Sequence, residues 1–221
     1  MIVDNHSDDG TTEIAGTLGA KCIQQNWLGF GKQKQTAVDL CPTDWILALD
    51  ADEELTKALR FEIQSLTLND PSQAYEIKRL SFFLGRPVRF SGWQKDYVVR
   101  LFNRKEAYFT DRLVHEKVTG YKKKNRLKSF LKHYPYQSIE DVERKITLYS
   151  DLGSKELFKA RTSHAAETTI LAKACYAFFR TFLVRQGFLD GFTGLQISIM
   201  NARTTYLKYR KFNQLLEKSS T

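Results

Sequence analysis

Short apolar stretches alternate with amphipathic ones through the N-terminal third of the chain. The stretches "MIVD", "AKCIQQ" and "DWILAL" have the length and composition of strands. The segments "TTEIAGTLG", "GKQKQTAVDLC" and "EELTKALRFEIQSL" have helical spacing, and Pro42 ends the second of them. Because "DWILAL" is continuously apolar, it predicts a strand buried on both faces, as in a parallel sheet between helix layers. The alternation predicts an α/β fold.

The pattern changes near residue 73. The segments "AYEIKRLSFFLG", "RPVRFSG" and "DYVVRLFNR" read as strands joined by short turns, which favours a mixed or antiparallel arrangement. A helix is predicted to begin at Ser138, with Asp141 three residues later as a capping box. Everything beyond it has helical character. We therefore expect an α/β region over residues 1–137 and a helical region over residues 138–221.

Composition and charge narrow the class of protein. The chain has 221 residues and a formal charge of +9, so an anionic partner is expected: nucleic acid, a phosphorylated substrate or an acidic membrane surface. No nucleic-acid-binding motif is present, and we expect no nucleic-acid partner. The three cysteines lack metal-site spacing and indicate reduced thiols in the cytoplasm. No run of about 18 apolar residues is present to span a bilayer.

Four carboxylates follow the predicted strand "DWILAL". Glu53 and Glu54 are expected in the first turn of a helix, where the macrodipole favours each by about 0.3–1 kcal/mol. Asp50 and Asp52 alternate on an extended chain, so both can face one ligand. A divalent metal that also bridges a diphosphate needs only one or two protein carboxylates. From spacing alone, metal–diphosphate binding and simple capping both remain open.

The order of several motifs favours metal–diphosphate binding over simple capping. The segments "VDNHSDDGT", "WLGFGKQKQTAV" and "DWILALDADEEL" closely resemble the N-terminal half of glycosyltransferase family 2 enzymes. The later "VVRLF", "VHEKV", "HYPYQSIEDVERKITLYS" and "GFLDGFTGL" are similar to the subgroup that builds the inner core of bacterial lipopolysaccharide, typified by heptose β-1,4-glucosyltransferases. The resemblance covers nearly the whole chain. It implies a GT-A (Rossmann-like) mixed sheet flanked by helices, with a helical C-terminal extension.

The resemblance also implies site roles on the donor side. Asp50 and Asp52 match the DxD motif, with Asp52 contacting Mn²⁺ or Mg²⁺ and Asp50 contacting the ribose or the metal. Asp4 is expected near the uracil or ribose, unless it only shapes its turn. Lys32 and Lys34 follow a flexible "GFG" loop and either contact the diphosphate or lie on a solvated helix face.

On the acceptor side, the implied reaction is an inverting transfer of a sugar, with glucose expected, from a UDP-sugar. The acceptor is a lipopolysaccharide core or a lipid-linked glycan. Glu116 in "VHEKV" is the first candidate for the base and Asp96 the second. A surface ion pair and a strand-start cap are the respective alternatives. His115 is either an additional metal ligand or a packed side chain, and Trp93 either stacks on a sugar or packs in the core.

Two further regions suggest contact with a membrane. Aromatic and basic residues mix over residues 176–212, which suits either a helix at the bilayer interface or one packed on the protein or a second copy. The basic run "GYKKKNRLK" either meets anionic head groups or a phosphorylated acceptor, or forms a solvated loop. Arg100 is either a phosphate contact or part of a structural ion pair. We expect a peripheral protein on the cytoplasmic face of the inner membrane.

Two alternatives remain open within the resemblance. Members of the family usually begin with another strand and helix before "VDNHSDDGT", and these are expected to be missing here. A truncated, non-catalytic relative is therefore one alternative. A transferase of the same fold that uses another donor, such as UDP-galactose or UDP-GlcNAc, is the other.

Overall fold

The computed structural model describes residues 1–111, 116–160 and 164–219. His115, a candidate metal ligand, lies outside the described residues. Within them the strands are β1 Ile2–Asp4, β2 Cys22–Gln24, β3 Trp45–Leu47, β4 Glu53–Leu55, β5 Gln73–Phe83, β6 Arg86–Pro87, β7 Tyr97–Asn103, β8 Tyr108–Phe109, β9 Val118–Thr119 and β10 Lys123–Tyr136. The helices are α1 Thr11–Thr17, α2 Phe30–Asp39, α3 Lys57–Gln64, α4 Ile139–Lys159, α5 Glu167–Phe179 and α6 Phe192–Ser219. A π-helical turn, Arg180–Val184, and a 3₁₀ turn, Gly187–Asp190, join α5 to α6.

The main sheet has the strand order β3-β7-β5-β10-β4, and β6 pairs with β5. β3 runs antiparallel to β7, with Ile46 opposite Phe102, and β7 runs antiparallel to β5. The parallel environment predicted for "DWILAL" is therefore wrong. A continuous apolar run indicates that a strand is buried on both faces, but it does not specify the strand's direction. An antiparallel strand between two helix layers is buried in the same way. Two smaller pairs complete the described strands: β1 with β2 in parallel and β8 with β9 antiparallel.

Helices pack on both faces of this sheet. Val38 of α2 lies in one core cluster with Ile46 and Phe102. Leu59 of α3 lies in another with Tyr75 and Leu101. Phe102 and Leu101 are adjacent in β7, so successive side chains enter opposite layers, as a pleated strand requires. The mixed α/β fold class predicted from the sequence is confirmed.

The segment after Asp52 differs from its prediction. Glu53 and Glu54 belong to β4, and α3 begins only at Lys57, with the Thr56 hydroxyl accepting the backbone N–H of Leu59 at 3.2 Å. Their expected place in the first turn of a helix is therefore wrong. The physical reason is that the Glu53 side chain is fully buried, where it pairs with Arg100. That burial requires an extended backbone rather than a solvent-facing helical turn.

The basic run "GYKKKNRLK" enters a strand. From Lys123 onward it belongs to β10, and Lys124 and Arg126 contact the Glu76 carboxylate at 2.9 and 2.6 Å. The solvated-loop interpretation of this run is therefore wrong from Lys123 onward. Alternate residues of the strand point outward and carry the charge, which is how a basic sequence can form a strand.

The chain divides into two compact units. The first comprises residues 1–79 and 97–131, and the second comprises residues 80–96 together with residue 132 onward. In the second unit α6 packs against α4 and α5. Its core includes Phe83, Ile146 and Ile197. The capping box predicted at Ser138 is confirmed, because the Ser138 hydroxyl accepts the Asp141 N–H at 3.1 Å and the Asp141 carboxylate accepts the Ser138 N–H.

Candidate active site

A group of charged side chains meets in the first unit at the end of β3. We call it the charged cluster. It contains predicted site residues from distant parts of the sequence and equal numbers of cationic and carboxylate side chains. Its members are Lys34, Asp50, Glu53, Arg79, Arg100 and Glu116.

Arg100 lies at the centre of the buried part of the cluster. Its guanidinium donates to the Asp50 carboxylate and, at 2.6 Å, to Glu53 Oε1, and only 5% of its side chain is exposed. Arg79 approaches the same Glu53 oxygen at 3.4 Å. Glu53 Oε2 also accepts the backbone N–H of Asp50 at 3.1 Å, and the Glu53 N–H donates to the Asp50 carbonyl at 3.0 Å. These contacts fix the turn that carries Asp50 and Asp52.

Lys34 joins the donor-side and acceptor-side candidates. Its Nζ lies 2.6 Å from Asp50 Oδ1 and 2.6 Å from Glu116 Oε1. The side chains of Lys34 and Glu116 are mostly buried, with 24% and 15% exposed. The structure therefore brings together a predicted nucleotide-binding residue and the first predicted base through one ammonium group.

The local fold explains this convergence. Arg100 lies in β7, which is the hydrogen-bonded neighbour of β3, and Asp50 follows β3 by three residues. Lys34 precedes the buried Val38 by four residues, so both lie on the face of α2 that turns toward the sheet. Glu116 precedes β9, which pairs with β8, and β8 packs against α2. Arg100 and Glu116 lie one and two positions from the buried Leu101 and Val118, and Lys34 lies one helical turn from the buried Val38.

Neighbouring opposite charges shift the pKa values of Asp50 and Arg100 in the cluster. Burial raises the pKa of Asp50, but the charges of Arg100 and Lys34 outweigh that effect and hold the pKa of this carboxyl below its usual value of 3.8. Burial lowers the pKa of Arg100, and Asp50 and Glu53 outweigh that effect and raise it. The ion pair between Asp50 and Arg100 therefore persists at neutral pH.

The donor set limits how a metal can bind here. Both Asp50 oxygens already contact cations, one to Lys34 and one to Arg100. Asp52 lies half-buried in the turn before β4. In residues 1–111, 116–160 and 164–219, no group of three or more His, Cys, Asp or Glu side chains is arranged to hold a metal. These residues fit a cation held by one or two carboxylates and completed by diphosphate and water oxygens, not a cage made by the protein alone.

The other predicted site residues lie outside the charged cluster. Asp4 ends β1 and is buried, and its carboxylate accepts the Ser7 N–H at 2.8 Å and the Ser7 hydroxyl at 2.6 Å, which hold its pKa below 3.8. Lys32 is exposed and pairs with Asp111 at 3.4 Å. Asp96 belongs to the second unit and lines a pocket there that also includes Trp93.

Sequence reasoning missed one contributor to the site, Glu53, and one unusual neighbour of Lys34, Gln33. Glu53 was assigned to a helix cap, and its pairing with Arg100 depends on the antiparallel register of β3 and β7. The sequence pattern gave Gln33 no role, yet this residue is buried, with 8% of its surface exposed. Within the described residues, neither of its side-chain amide atoms has a hydrogen-bond partner. A buried amide without partners carries an energetic cost. In the sequence, Gln33 is distinguished only by its position directly before Lys34.

Comparisons with known proteins identify the family of the chain. Residues 1–75, which include Lys34, Asp50 and Asp52, match the family model described as Glycosyl transferase family 2. The chain is 34% identical over 233 residues to the "Uncharacterized glycosyltransferase RP128" of Rickettsia prowazekii (strain Madrid E), covering 99% of this chain and 79% of that protein. It is 33% identical over 231 residues to the "Uncharacterized glycosyltransferase RT0209" of Rickettsia typhi (strain ATCC VR-144 / Wilmington), with the same coverage of 99% and 79%.

A more distant relative has a more specific name. The chain is 25% identical over 224 residues to the "Lipopolysaccharide core biosynthesis glycosyltransferase LpsC" of Rhizobium meliloti (strain 1021), covering 95% of this chain and 83% of that protein. All three similarities extend well beyond the 75 residues of the family model, and so include sequence from both compact units.

Proposed function

The chain belongs to glycosyltransferase family 2, and from that premise we propose that it is an inverting enzyme that transfers glucose from a UDP-sugar to a lipopolysaccharide core or related lipid-linked glycan. The observation that carries the proposal is the junction at Lys34, where a DxD aspartate and an acceptor-side glutamate lie 2.6 Å from one ammonium. The name of the Rhizobium meliloti relative supports the choice of acceptor.

Glu116 is the proposed base. In the transfer, the acceptor hydroxyl oxygen forms a bond to the anomeric carbon while the bond from that carbon to the diphosphate breaks and the diphosphate keeps the electron pair. The hydroxyl proton must pass to a positioned base, and an ionised carboxylate suits that step. Lys34 orients the Glu116 carboxylate through the 2.6 Å contact. Asp96, in the second unit, is the second candidate.

The donor is held by residues at the carboxyl ends of β1 and β3 and at the start of α2. Asp52 and Asp50 would hold Mn²⁺ or Mg²⁺, which supplies positive charge to the departing diphosphate. Asp4 is proposed to contact the nucleoside. Lys32, exposed in the first turn of α2, is proposed to contact the diphosphate. Gly29 precedes α2 with φ 93°, a conformation that favours glycine.

An exposed apolar segment supports action at a membrane surface. In the fully described residues 176–192, seven large apolar side chains are exposed: Tyr176, Phe179, Leu183, Val184, Phe188, Leu189 and Phe192. We call this the apolar surface. Arg180 is exposed within it and can contact anionic head groups. Such a density of exposed aromatic and aliphatic side chains is typical of an interaction site, and the exposed Arg180 among them favours an anionic bilayer over a protein partner.

The described helices include none that is both long and apolar enough to cross a bilayer. We propose that the chain attaches peripherally through the apolar surface, at the cytoplasmic face of the inner membrane where lipid-linked acceptors are assembled.

The catalytic proposal is tested by release of UDP from UDP-glucose, UDP-galactose and UDP-GlcNAc in the presence of a lipopolysaccharide-core acceptor. Glu116→Gln removes the base and should lower kcat by about 10²–10⁴-fold without loss of UDP binding. Glu156→Gln, an exposed carboxylate in α4, is the matched control and should leave kcat unchanged. If Asp96→Asn lowers kcat in this range and Glu116→Gln does not, the base is Asp96.

The membrane proposal is tested by sedimentation with vesicles made of phosphatidylglycerol and phosphatidylethanolamine. The double change Leu183→Glu and Val184→Glu places two charges on side chains that are 53% and 77% exposed, so the fold should tolerate it while vesicle binding falls. Phe61→Glu, on a side chain of α3 that is 69% exposed, is the matched control. Equal binding by both variants and the unmodified chain would reject the apolar surface as the attachment site.

A further inference from the structure

The second unit contains an open pocket of about 420 Å³. Its volume falls in the range of small-molecule sites, which is about 300–1,000 Å³. Its walls combine the two kinds of group that recognise a charged sugar: aromatic rings and cationic side chains. The lining residues that matter here are Trp93, Tyr136, Lys95, Lys145, His133 and Asp96.

The aromatic wall is rigid. The Trp93 ring stacks on Tyr136, with ring centroids 5.9 Å apart and an interplanar angle of 17°. Phe83 packs against both rings from the core, at 6.4 and 5.3 Å. Burial raises the pKa of Tyr136 to about 12, so its phenol stays neutral and adds no negative charge to the pocket. A fixed, half-buried indole gives an apolar plane against which the C–H face of a sugar ring can pack.

The cationic side of the pocket is also fixed in place. The Lys145 ammonium donates to the Pro135 carbonyl at 2.6 Å and lies 4.8 Å from the centre of the Tyr136 ring. His133 is held by a 2.9 Å hydrogen bond between its Nδ1 and the Ser81 hydroxyl. Lys95 is exposed at the rim. Two lysines against the single carboxylate of Asp96 give the lining an excess of positive charge, which favours a ligand carrying phosphate or carboxylate.

We infer that this pocket binds an anionic sugar, phosphorylated or acidic, with the ring against Trp93 and the anionic group at Lys95 and Lys145. The inference rests on the proposed function, since the sugar it would hold is part of the acceptor glycan. It adds an acceptor subsite and its chemical class, neither of which follows from the charged cluster. Asp96, which lines the same pocket, is then suited to accept hydrogen bonds from the hydroxyls of that sugar.

The test uses the indole N–H resonances of the full chain labelled with ¹⁵N-tryptophan. The sequence has three tryptophans, of which Trp27 and Trp45 belong to the first unit and serve as internal references. Trp93→Phe identifies the third resonance. The probes are glucose-6-phosphate, glucose and inorganic phosphate, each added at the same millimolar concentrations.

Glucose-6-phosphate should shift the Trp93 resonance in a saturable manner, and glucose or phosphate alone should shift it much less. Lys95→Ala removes a charged contact and should weaken the affinity for glucose-6-phosphate by about tenfold or more. Lys155→Ala, an exposed lysine of α4 outside the pocket, should leave the affinity unchanged. Equal shifts with glucose would overturn the anionic requirement, equal shifts with phosphate would overturn the sugar requirement, and no shift would overturn the site.

A separate calorimetric titration with UDP distinguishes the two proposals. If UDP binds and Trp93 does not respond to the sugar phosphate, the pocket inference fails and the donor proposal stands. If Trp93 responds and UDP does not bind, the donor proposal fails and the anionic-sugar site stands.

Discussion

Removal of the Arg100 guanidinium should destabilise the chain far more than removal of any exposed arginine. Arg100→Met keeps much of the side-chain volume but leaves Asp50 and Glu53 without their shared cation. The Glu53 side chain has no exposed surface, so water cannot replace the lost partner. Breaking a buried ion pair on one side costs about 3–5 kcal/mol.

That cost converts to a measurable melting shift. For a chain of this size, about 1 kcal/mol of lost stability lowers Tm by about 2–4 °C. We therefore expect Arg100→Met to lower Tm by about 6–20 °C in thermal unfolding followed by circular dichroism. Arg203→Met is the matched control because its pair with Glu143 is about half exposed. Exposed pairs contribute about 0.2–1 kcal/mol, so the control should shift Tm by no more than about 4 °C.

A double variant separates charge from packing. In Arg100→Met combined with Glu53→Leu, the buried carboxylate is removed together with its cation, and much of the lost stability should return. If the double variant is no more stable than Arg100→Met, the loss came from packing and the electrostatic explanation is wrong. Equal Tm shifts for Arg100→Met and Arg203→Met would refute the reasoning outright.

Two further predictions concern the backbone and the pH dependence of stability. In Gly194→Ala the new Cβ would collide with the Gly187 carbonyl oxygen, so urea unfolding should show a loss of at least about 1–3 kcal/mol. Gly16→Ala, in α1 with nothing within 4 Å of the new Cβ, should instead add about 0.5–1 kcal/mol, and equal losses would contradict the contact argument. The Ser72 hydroxyl, followed by Lys123 and the Ser72 N–H, holds the pKa of Asp70 well below its usual value of 3.8. Because this pKa is lowered in the folded state, the ionised Asp70 stabilises the fold above pH 3.8, and this stabilisation is lost as the pH falls below that value. In Asp70→Asn the free energy of unfolding should therefore decrease less steeply on acidification. An unchanged decrease would contradict the assignment.

Much of the fold follows from local pattern. The order of strands and helices up to β3, the burial of β3 on both faces and the capping box at Ser138 depend on periodicity and on hydrogen bonds between neighbouring residues. These features depend only on residues that are close together in the sequence. The direction of β3 and the existence of β10 could not be predicted in this way. Both depend on which strand, distant in sequence, lies alongside them in the sheet.

The residues of the candidate site also differ in whether local sequence alone could predict their roles. The spacing of Asp50 and Asp52 matches the DxD motif, but the extended backbone expected for them is wrong, because the Glu53 N–H donates to the Asp50 carbonyl and closes a turn over residues 51–52. The resemblance to glycosyltransferase family 2 indicated Glu116. The role of Glu53 could not be predicted, because four adjacent carboxylates look solvent-exposed until the buried Arg100 of β7 is placed beside them. Lys34 had two equal interpretations, a ligand contact or a solvated face, and only the packing of α2 on the sheet puts it between Asp50 and Glu116.

The most direct test of the proposed donor site is calorimetric titration of UDP into the chain with and without Mn²⁺. Metal-dependent binding is expected, and Asp52→Ala should weaken it by about tenfold or more. Asp44→Ala, which removes an exposed carboxylate paired with Lys105, is the control and should bind as the unmodified chain does. Binding that is indifferent to both Mn²⁺ and Asp52→Ala, or no binding at all, would contradict the assignment of Asp50 and Asp52 as the site for a sugar nucleotide and its metal.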